Sequence, residues 1–183
     1  MTILHIDSSI NGENSASRAI SRSIVDQLVI TAPEPELIRR DLVNEPLPHL
    51  TLDAFADTSV LDEFMAADTV VIGAPMYNFT LPTQLKAWLD RILVAGKTFR
   101  YTENGPEGLA GGKRVVIALA RGAFYDAGSP ASALEHLESY LRGVFGFIGI
   151  EPEFVAADGL AIGPEQRETS IAQALGETVR LAA

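Results

Sequence analysis

Thr69-Val70-Val71-Ile72-Gly73-Ala74, followed at once by Pro75-Met76-Tyr77-Asn78-Phe79-Thr80-Leu81-Pro82, is the stretch on which the fold turns. An unbroken apolar run rich in β-branched residues has no polar side to offer solvent. It suits a central strand buried on both faces, which requires a layer of helices above the sheet and another below. Pro75 ends the run, because a proline has no N–H to give a ladder.

The flanking segments supply those layers. Before the run, Thr58 to Ala67 reads as a short helix carrying Val60, Leu61, Phe64 and Met65, and Glu36 to Leu42 as a weaker strand. Asn44-Glu45-Pro46-Leu47-Pro48 is loop by its prolines. Ser17 to Ile30 repeats Ile20, Ile24 and Leu28 at helical spacing, and Ile3 to Ile6 is a first strand closed by Asp7-Ser8. After the run come a helix over Thr83 to Val94, a strand over Arg114 to Leu119, a long helix over Ser132 to Phe147 and a strand over Glu153 to Ala157. A final helix opens at Gly163-Pro164, with proline where a first turn tolerates it. Five strands alternating with five helices predict one α/β domain over residues 1–183. Right-handed crossovers then favour a three-layer sandwich whose five-stranded parallel sheet has the order 2-1-3-4-5.

Composition narrows the function classes. The chain has 183 residues, 47% of them hydrophobic, a formal charge of −10 and no cysteine. Such a charge repels phosphodiester backbones and anionic lipid, so neither nucleic acid nor a membrane surface is an expected partner. Without cysteine there are no disulfides, thiolate metal sites or cysteine nucleophile. The start Met1-Thr2-Ile3-Leu4-His5 lacks the cationic and long apolar regions of a secretory leader, and no apolar stretch approaches the ~20 residues of a membrane span. A cytoplasmic location is expected. No metal site is expected either: His5 falls in a strand, His49 in a proline-flanked loop and His136 on a helix surface, none at ligand spacing.

In a sheet of this order, ligands gather beyond the carboxyl ends of the strands, where strand order reverses. The loop Ser8-Ser9-Ile10-Asn11-Gly12-Glu13-Asn14-Ser15-Ala16-Ser17-Arg18 brings hydroxyls and amides to a helix N-terminus with Arg18 its one cation. Dipoles and hydroxyls there suit a terminal phosphomonoester, and neither a Rossmann nor a Walker A signature is present. The plainer reading is a serine cap on the helix. Met76, Tyr77, Asn78 and Phe79 offer apolar walls and an amide for a planar heterocycle, or else an ordinary turn. After the fourth strand, Gly122 permits close backbone approach. The excursion Gly96 to Leu109 is a candidate lid or pocket wall, with a surface hairpin as the alternative.

Taken together, the chain resembles the FMN-dependent NADH:quinone oxidoreductases with azoreductase activity, a family once labelled acyl carrier protein phosphodiesterase. The resemblance runs nearly the whole length. It is carried by Ala74-Pro75-Met76-Tyr77-Asn78-Phe79, Thr83-Gln84-Leu85-Lys86, Ala95-Gly96 and Thr98-Phe99-Arg100-Tyr101-Thr102-Glu103-Asn104-Gly105-Pro106-Glu107-Gly108-Leu109, then Gly146-Phe147-Ile148-Gly149-Ile150 and Gly163-Pro164-Glu165.

It implies a flavodoxin-like fold with FMN as cofactor, NADH or NADPH as electron donor, and a quinone or azo compound as acceptor. It implies phosphate contacts from Ser9, Ser15, Ala16 and Ser17. Met76, Tyr77, Asn78 and Phe79 would line the isoalloxazine and ribityl chain, and Ala120, Arg121, Gly122 and Ala123 would meet the pyrimidine side. Two departures stand out. Ala120 and Ala123 replace the serine and last glycine of the family's Ser-Arg-Gly-Gly, leaving backbone contacts only at those positions. The link between the second and third strands is shorter than in many relatives. A homodimer with two FMN sites at its interface and a ping-pong cycle are also implied. Phe99, Tyr101 and Phe147 are candidate pocket aromatics, Phe147 either reaching the partner subunit or packing in the core. Because the flavin carries the chemistry, no catalytic side chain is expected. A hydrolase acting through Ser8 or Ser9 is disfavoured by the missing G-x-S-x-G elbow, and a pure electron carrier by the Gly96 to Leu109 excursion.

Overall fold

The computed structural model describes residues 1–181. Its elements in chain order are β1 (Thr2–Asp7), α1 (Ala16–Thr31), β2 (Glu36–Asp41), α2 (Leu52–Ala56), α3 (Ser59–Ala66), β3 (Thr69–Pro75), α4 (Thr83–Ile92), β4 (Phe99–Thr102), β5 (Gly105–Gly108), β6 (Arg114–Ala120), α5 (Glu138–Phe147), β7 (Glu153–Ala157) and α6 (Pro164–Leu181). Five strands form one parallel sheet in the order β2-β1-β3-β6-β7. In order of occurrence along the chain this is 2-1-3-4-5, as the sequence predicts. β3 lies at its centre, and all seven of its residues are buried.

Strand side chains alternate between two cores, as the period of two dictates. Leu4, Ile6, Val70, Ile72, Val115 and Ile117 face α3, α4 and α5, where Phe64 meets Trp88 edge-to-face at 5.8 Å. Ile3, Val71, Val116, Ala118 and Val155 face the other way, against Ile20 and Ile24 of α1 and Ala174 of α6.

Several helices differ from their predicted bounds. The long helix over Ser132 to Phe147 is divided: Ser132–Leu134 is a single 3-10 turn, and α5 starts only at Glu138. The Glu135 carboxylate accepts from the N–H groups of Leu137, Glu138 and Ser139, so it closes one turn and caps the next helix. His136 therefore sits in the link before α5, not on a helix surface. α4 stops at Ile92 instead of Val94, because Thr98 Oγ1 donates to the Ile92 carbonyl at 2.6 Å and accepts from Val94 N at 3.0 Å. Between the proline loop and α3 lies the unpredicted α2, whose first turn is capped by Thr51 Oγ1 accepting from Ala54 N.

The Gly96 to Leu109 excursion is an antiparallel hairpin, β4 on β5. It is rooted between the last turn of α4 and the first residue of β6, which pairs with the first residue of β3. Helices that return across a parallel sheet finish at its amino edge, so the hairpin lies at the end opposite the loops that follow β1, β3 and β6. Gly108 presses on the end of α5 so closely that a Cβ there would stand 2.2 Å from both Gly149 N and Ile148 C. Among the described residues no helix is long and apolar enough to cross a membrane.

Candidate functional site

The loops after β1 and β3 meet through one hydroxyl. Ser9 Oγ lies 3.2 Å from Tyr77 Oη, and Ile10 N donates to that same oxygen at 3.1 Å. Behind them Ser8 Oγ donates to the Gly73 carbonyl at 2.7 Å, tying β1 to β3 where both strands end. Asn11 N donates to Ser9 Oγ, folding the loop back over itself.

The loop then enters α1. Ser15 caps it, its Oγ accepting from Arg18 N at 3.3 Å and lying 3.1 Å from Ser17 Oγ. Both serines are buried. The Ala16 and Ser17 N–H groups, first in a 16-residue helix, have no carbonyl four residues back within it. Two serine hydroxyls and two amides thus meet where the helix carries its partial positive charge, and the Ser9 carbonyl is tied to the same helix start through Arg18. Arg18 is not a free cation for this cradle. Its guanidinium donates twice to the Ser9 carbonyl and twice to the Asp41 carboxylate, at 2.8 and 2.9 Å. The Arg18 hydrogen bonds hold Asp41 down at about 2, and the same bonds raise the Arg18 pKa. The arginine fixes the loop's shape by binding its carbonyl.

After β3 the chain reverses in a tight turn. Tyr77 N donates to the Thr80 carbonyl and Thr80 N to the Tyr77 carbonyl. Between them Asn78 and Phe79 adopt φ of +48° and +75°, the pattern of a type I′ turn. An aromatic residue at positive φ is uncommon and costs free energy, so neighbours must hold it. Here His136 N donates to the Phe79 carbonyl at 3.0 Å, and Thr80 Oγ1 donates to the His136 carbonyl at 3.1 Å. Asn78 and Phe79 are exposed, whereas Met76 and Tyr77 are half-buried. The link before α5 is therefore part of the site, which the sequence pattern did not indicate.

The third loop follows β6. Met76 N donates to the Ala120 carbonyl, joining it to the second. The carbonyls of Arg121, Gly122 and Ala123 accept from Leu160, Ala161 and Gly159 N, at 3.1, 2.9 and 3.2 Å. All three carbonyls are thus spent on the loop after β7, while the Gly122 and Ala123 N–H groups have no partner among the described residues. The Arg121 side chain is 6% exposed, and its Nε and Nη2 donate to Asp158 at 2.6 and 2.8 Å. Its Nη1 donates to Glu138 at 3.1 Å, with Glu135 at 3.8 Å. Burial opposes its charge, but these carboxylates outweigh burial and raise its pKa. A cleft of about 760 Å³ opens beside it, lined among others by Tyr125, Asp126, Glu135 and Arg142.

The structure therefore brings Ser9, Ser15, Ala16 and Ser17 to one helix end, and sets Met76 to Phe79 and Ala120 to Ala123 beside them. Phe99, Tyr101 and Phe147 form a separate aromatic cluster, with Phe99 4.7 Å from Phe147 and 5.6 Å from Tyr101. They belong to the hairpin and the end of α5, at the other edge of the sheet. Phe99 is buried and Tyr101 is 75% exposed. Hydroxyls and amides at a helix start, beside apolar walls and unspent peptide N–H groups, suit a phosphomonoester joined to a flat heterocycle.

Residues 1–181 match the family model described as flavodoxin-like fold. The chain is 54% identical to FMN-dependent NADH:quinone oxidoreductase 2 of Bradyrhizobium diazoefficiens, with all of both chains covered. It is 53% identical to the FMN-dependent NADH:quinone oxidoreductase of Rhizobium meliloti, over 95% of this chain and 93% of that one. Among solved structures, an azoreductase from Bacillus anthracis superposes with a TM-score of 0.91 at 28% identity, covering 100% of this chain and 98% of that one. With its sheet order, its three converging loops and these full-length likenesses, the chain belongs to the flavodoxin-like family and, within it, to the FMN-dependent NADH:quinone oxidoreductases.

Proposed function

We propose that this protein is an FMN-dependent NAD(P)H oxidoreductase that reduces quinones and reductively cleaves aromatic azo compounds by a ping-pong cycle. The observation that carries the reading is the donor set. The Ser9, Ser15 and Ser17 hydroxyls with the first amides of α1 suit the phosphate of FMN, and the free N–H groups of Gly122 and Ala123 suit the acceptor edge of its ring. Met76, Tyr77 and Phe79 would wall the ring. When bound, FMN supplies the two-electron transfer between a nicotinamide and the acceptor. The chain's own residues bind and orient it: Tyr77 spans the two loops, Asn78 presents an amide from a turn locked at positive φ, and Arg18 shapes the phosphate loop from behind. Ala120 and Ala123 act through their backbone.

Within one chain the aromatics Phe99, Tyr101 and Phe147 lie away from these loops, so in this reading they reach the ring of a partner subunit in a homodimer. A two-fold axis that sets the amino edge of one sheet against the carboxyl edge of the other would bring them there. The proposed nicotinamide donor is a cytoplasmic solute, which makes the cytoplasm the proposed location.

The test is optical. The purified protein is expected to be yellow, to bleach on adding NADH or NADPH without acceptor, and to recolour with a menadione-like quinone or decolourise an azo dye. Protein that takes up no FMN on reconstitution would overturn the reading.

A further inference from the structure

The carboxylates around Arg121 lie outside every flavin contact proposed above, yet they govern the loop that carries two of those contacts. Arg121 opens the segment Arg121-Gly122-Ala123, and Asp158 opens the segment Asp158 to Ala161 that takes up all three of its carbonyls. The same two residues are joined side chain to side chain by a bidentate pair at 2.6 and 2.8 Å, a geometry that fixes direction as well as distance. Glu138, in the first turn of α5, holds the remaining guanidinium nitrogen at 3.1 Å. Asp158 is itself fixed, since its carbonyl accepts from the buried Ser170 Oγ of α6 at 2.6 Å. The Gly159 backbone is equally committed, because a Cβ there would stand 2.9 Å from the Phe124 ring. The clamp thus joins β6, β7, α5 and α6 at one point, and among the described residues it leaves the Gly122 and Ala123 N–H groups of the segment without a partner.

We propose that Asp158 and Glu138 are positioning residues for the flavin ring: through Arg121 they aim the Gly122 and Ala123 N–H groups at its pyrimidine edge. The inference rests on the FMN reading above and names the residues that give the third loop its direction. Their position relative to the phosphate cradle makes the claim separable from general loosening. The ring edge is common to FMN and riboflavin, whereas the cradle at α1 serves the phosphate alone.

Flavin binding to apoprotein, followed by fluorescence quenching with FMN and with riboflavin, tests it. Asp158→Asn keeps the volume but loses one arm of the pair, and is expected to weaken both flavins by the same factor of about ten. The visible circular dichroism of bound FMN is expected to change shape. Ser15→Ala is the contrast, weakening FMN several-fold more than riboflavin. Wild-type protein that binds neither flavin would bring down the functional reading and this one with it. Wild-type binding with Asp158→Asn unchanged, or weakened for FMN alone, overturns this inference only. If Asp158→Asn fails to fold, Glu138→Gln decides by the same comparison, with an equal loss of at least about threefold expected for both flavins.

Discussion

Ser9 and Tyr77, 68 residues apart, meet hydroxyl to hydroxyl at 3.2 Å, and Tyr77 Oη also accepts from Ile10 N. One phenol therefore satisfies a side chain and a main-chain donor of another loop. Tyr77→Phe is expected to cost ~1 kcal/mol of stability in urea unfolding. In a double-mutant cycle with Ser9→Ala the coupling is expected to be ~0.5–1 kcal/mol. Strictly additive effects would show that the contact does not join the loops.

Gly73 in β3 is needed for space. A Cβ there would lie 2.6 Å from Asp7 Oδ1 and 3.3 Å from the Ser17 carbonyl. Gly73→Ala is expected to destabilise by about 1–3 kcal/mol and to disturb the entry to α1. A melting temperature equal to wild type would refute the close approach.

Gly108 meets backbone instead of a flexible tip, so its neighbours cannot swing away. Gly108→Ala is expected to lift the hairpin from α5 and expose Arg100, already at the surface in β4, to trypsin. Limited proteolysis with the wild-type cleavage rate would show the docking to be loose.

Two groups give a pH dependence of the same sign. His5 is buried in β1, its Nε2 3.0 Å from Ser21 Oγ, and burial lowers its pKa against the opposing pull of Asp7, with Arg39, Arg22 and Arg18 adding to the fall. The unfolded chain takes up a proton near pH 6.5 and the folded one does not. Stability is thus undiminished above that pH and declines as the pH drops below it. His5→Gln is expected to flatten that slope in urea titrations; a slope unchanged by the substitution would acquit His5.

Asp41, held at about 2 by Arg18, contributes stability that is whole above about pH 3.8 and disappears as the pH falls toward 2. With solvent screening at this half-buried pair, Asp41→Asn is expected to cost ~1 kcal/mol at pH 7 and almost nothing at pH 2. An equal cost at both pH values would assign the effect to packing.

The strands were legible because their signal is local: β7 has its predicted bounds, and β1, β2, β3 and β6 differ by about a residue. Loop chemistry was legible only in part. Ser15 and Ser17 could be assigned to a helix start from their type. The partners of Arg18 and Arg121 could not, since Asp41 and Asp158 lie 23 and 37 residues away and pair only once the sheet order is known. The division of the helix at Glu135 was hidden for a related reason. A glutamate there is a good helix former by propensity, and only its three captured N–H groups show it ending one segment and starting another.

The three carbonyls turned toward residues 159–161 have a consequence for how this loop tolerates drift. The donors left without a partner among the described residues belong to peptide groups, so replacing a side chain cannot delete them. Alanine at 123 therefore presents the same N–H that a glycine there would. Position 122 has room for more, since a Cβ there would touch Ala161 Cβ at an ordinary 3.4 Å. Proline is the one residue that removes the N–H itself. Every other substitution leaves the Gly122 and Ala123 N–H groups in place, so side-chain changes at these positions act on packing and not on the peptide donors.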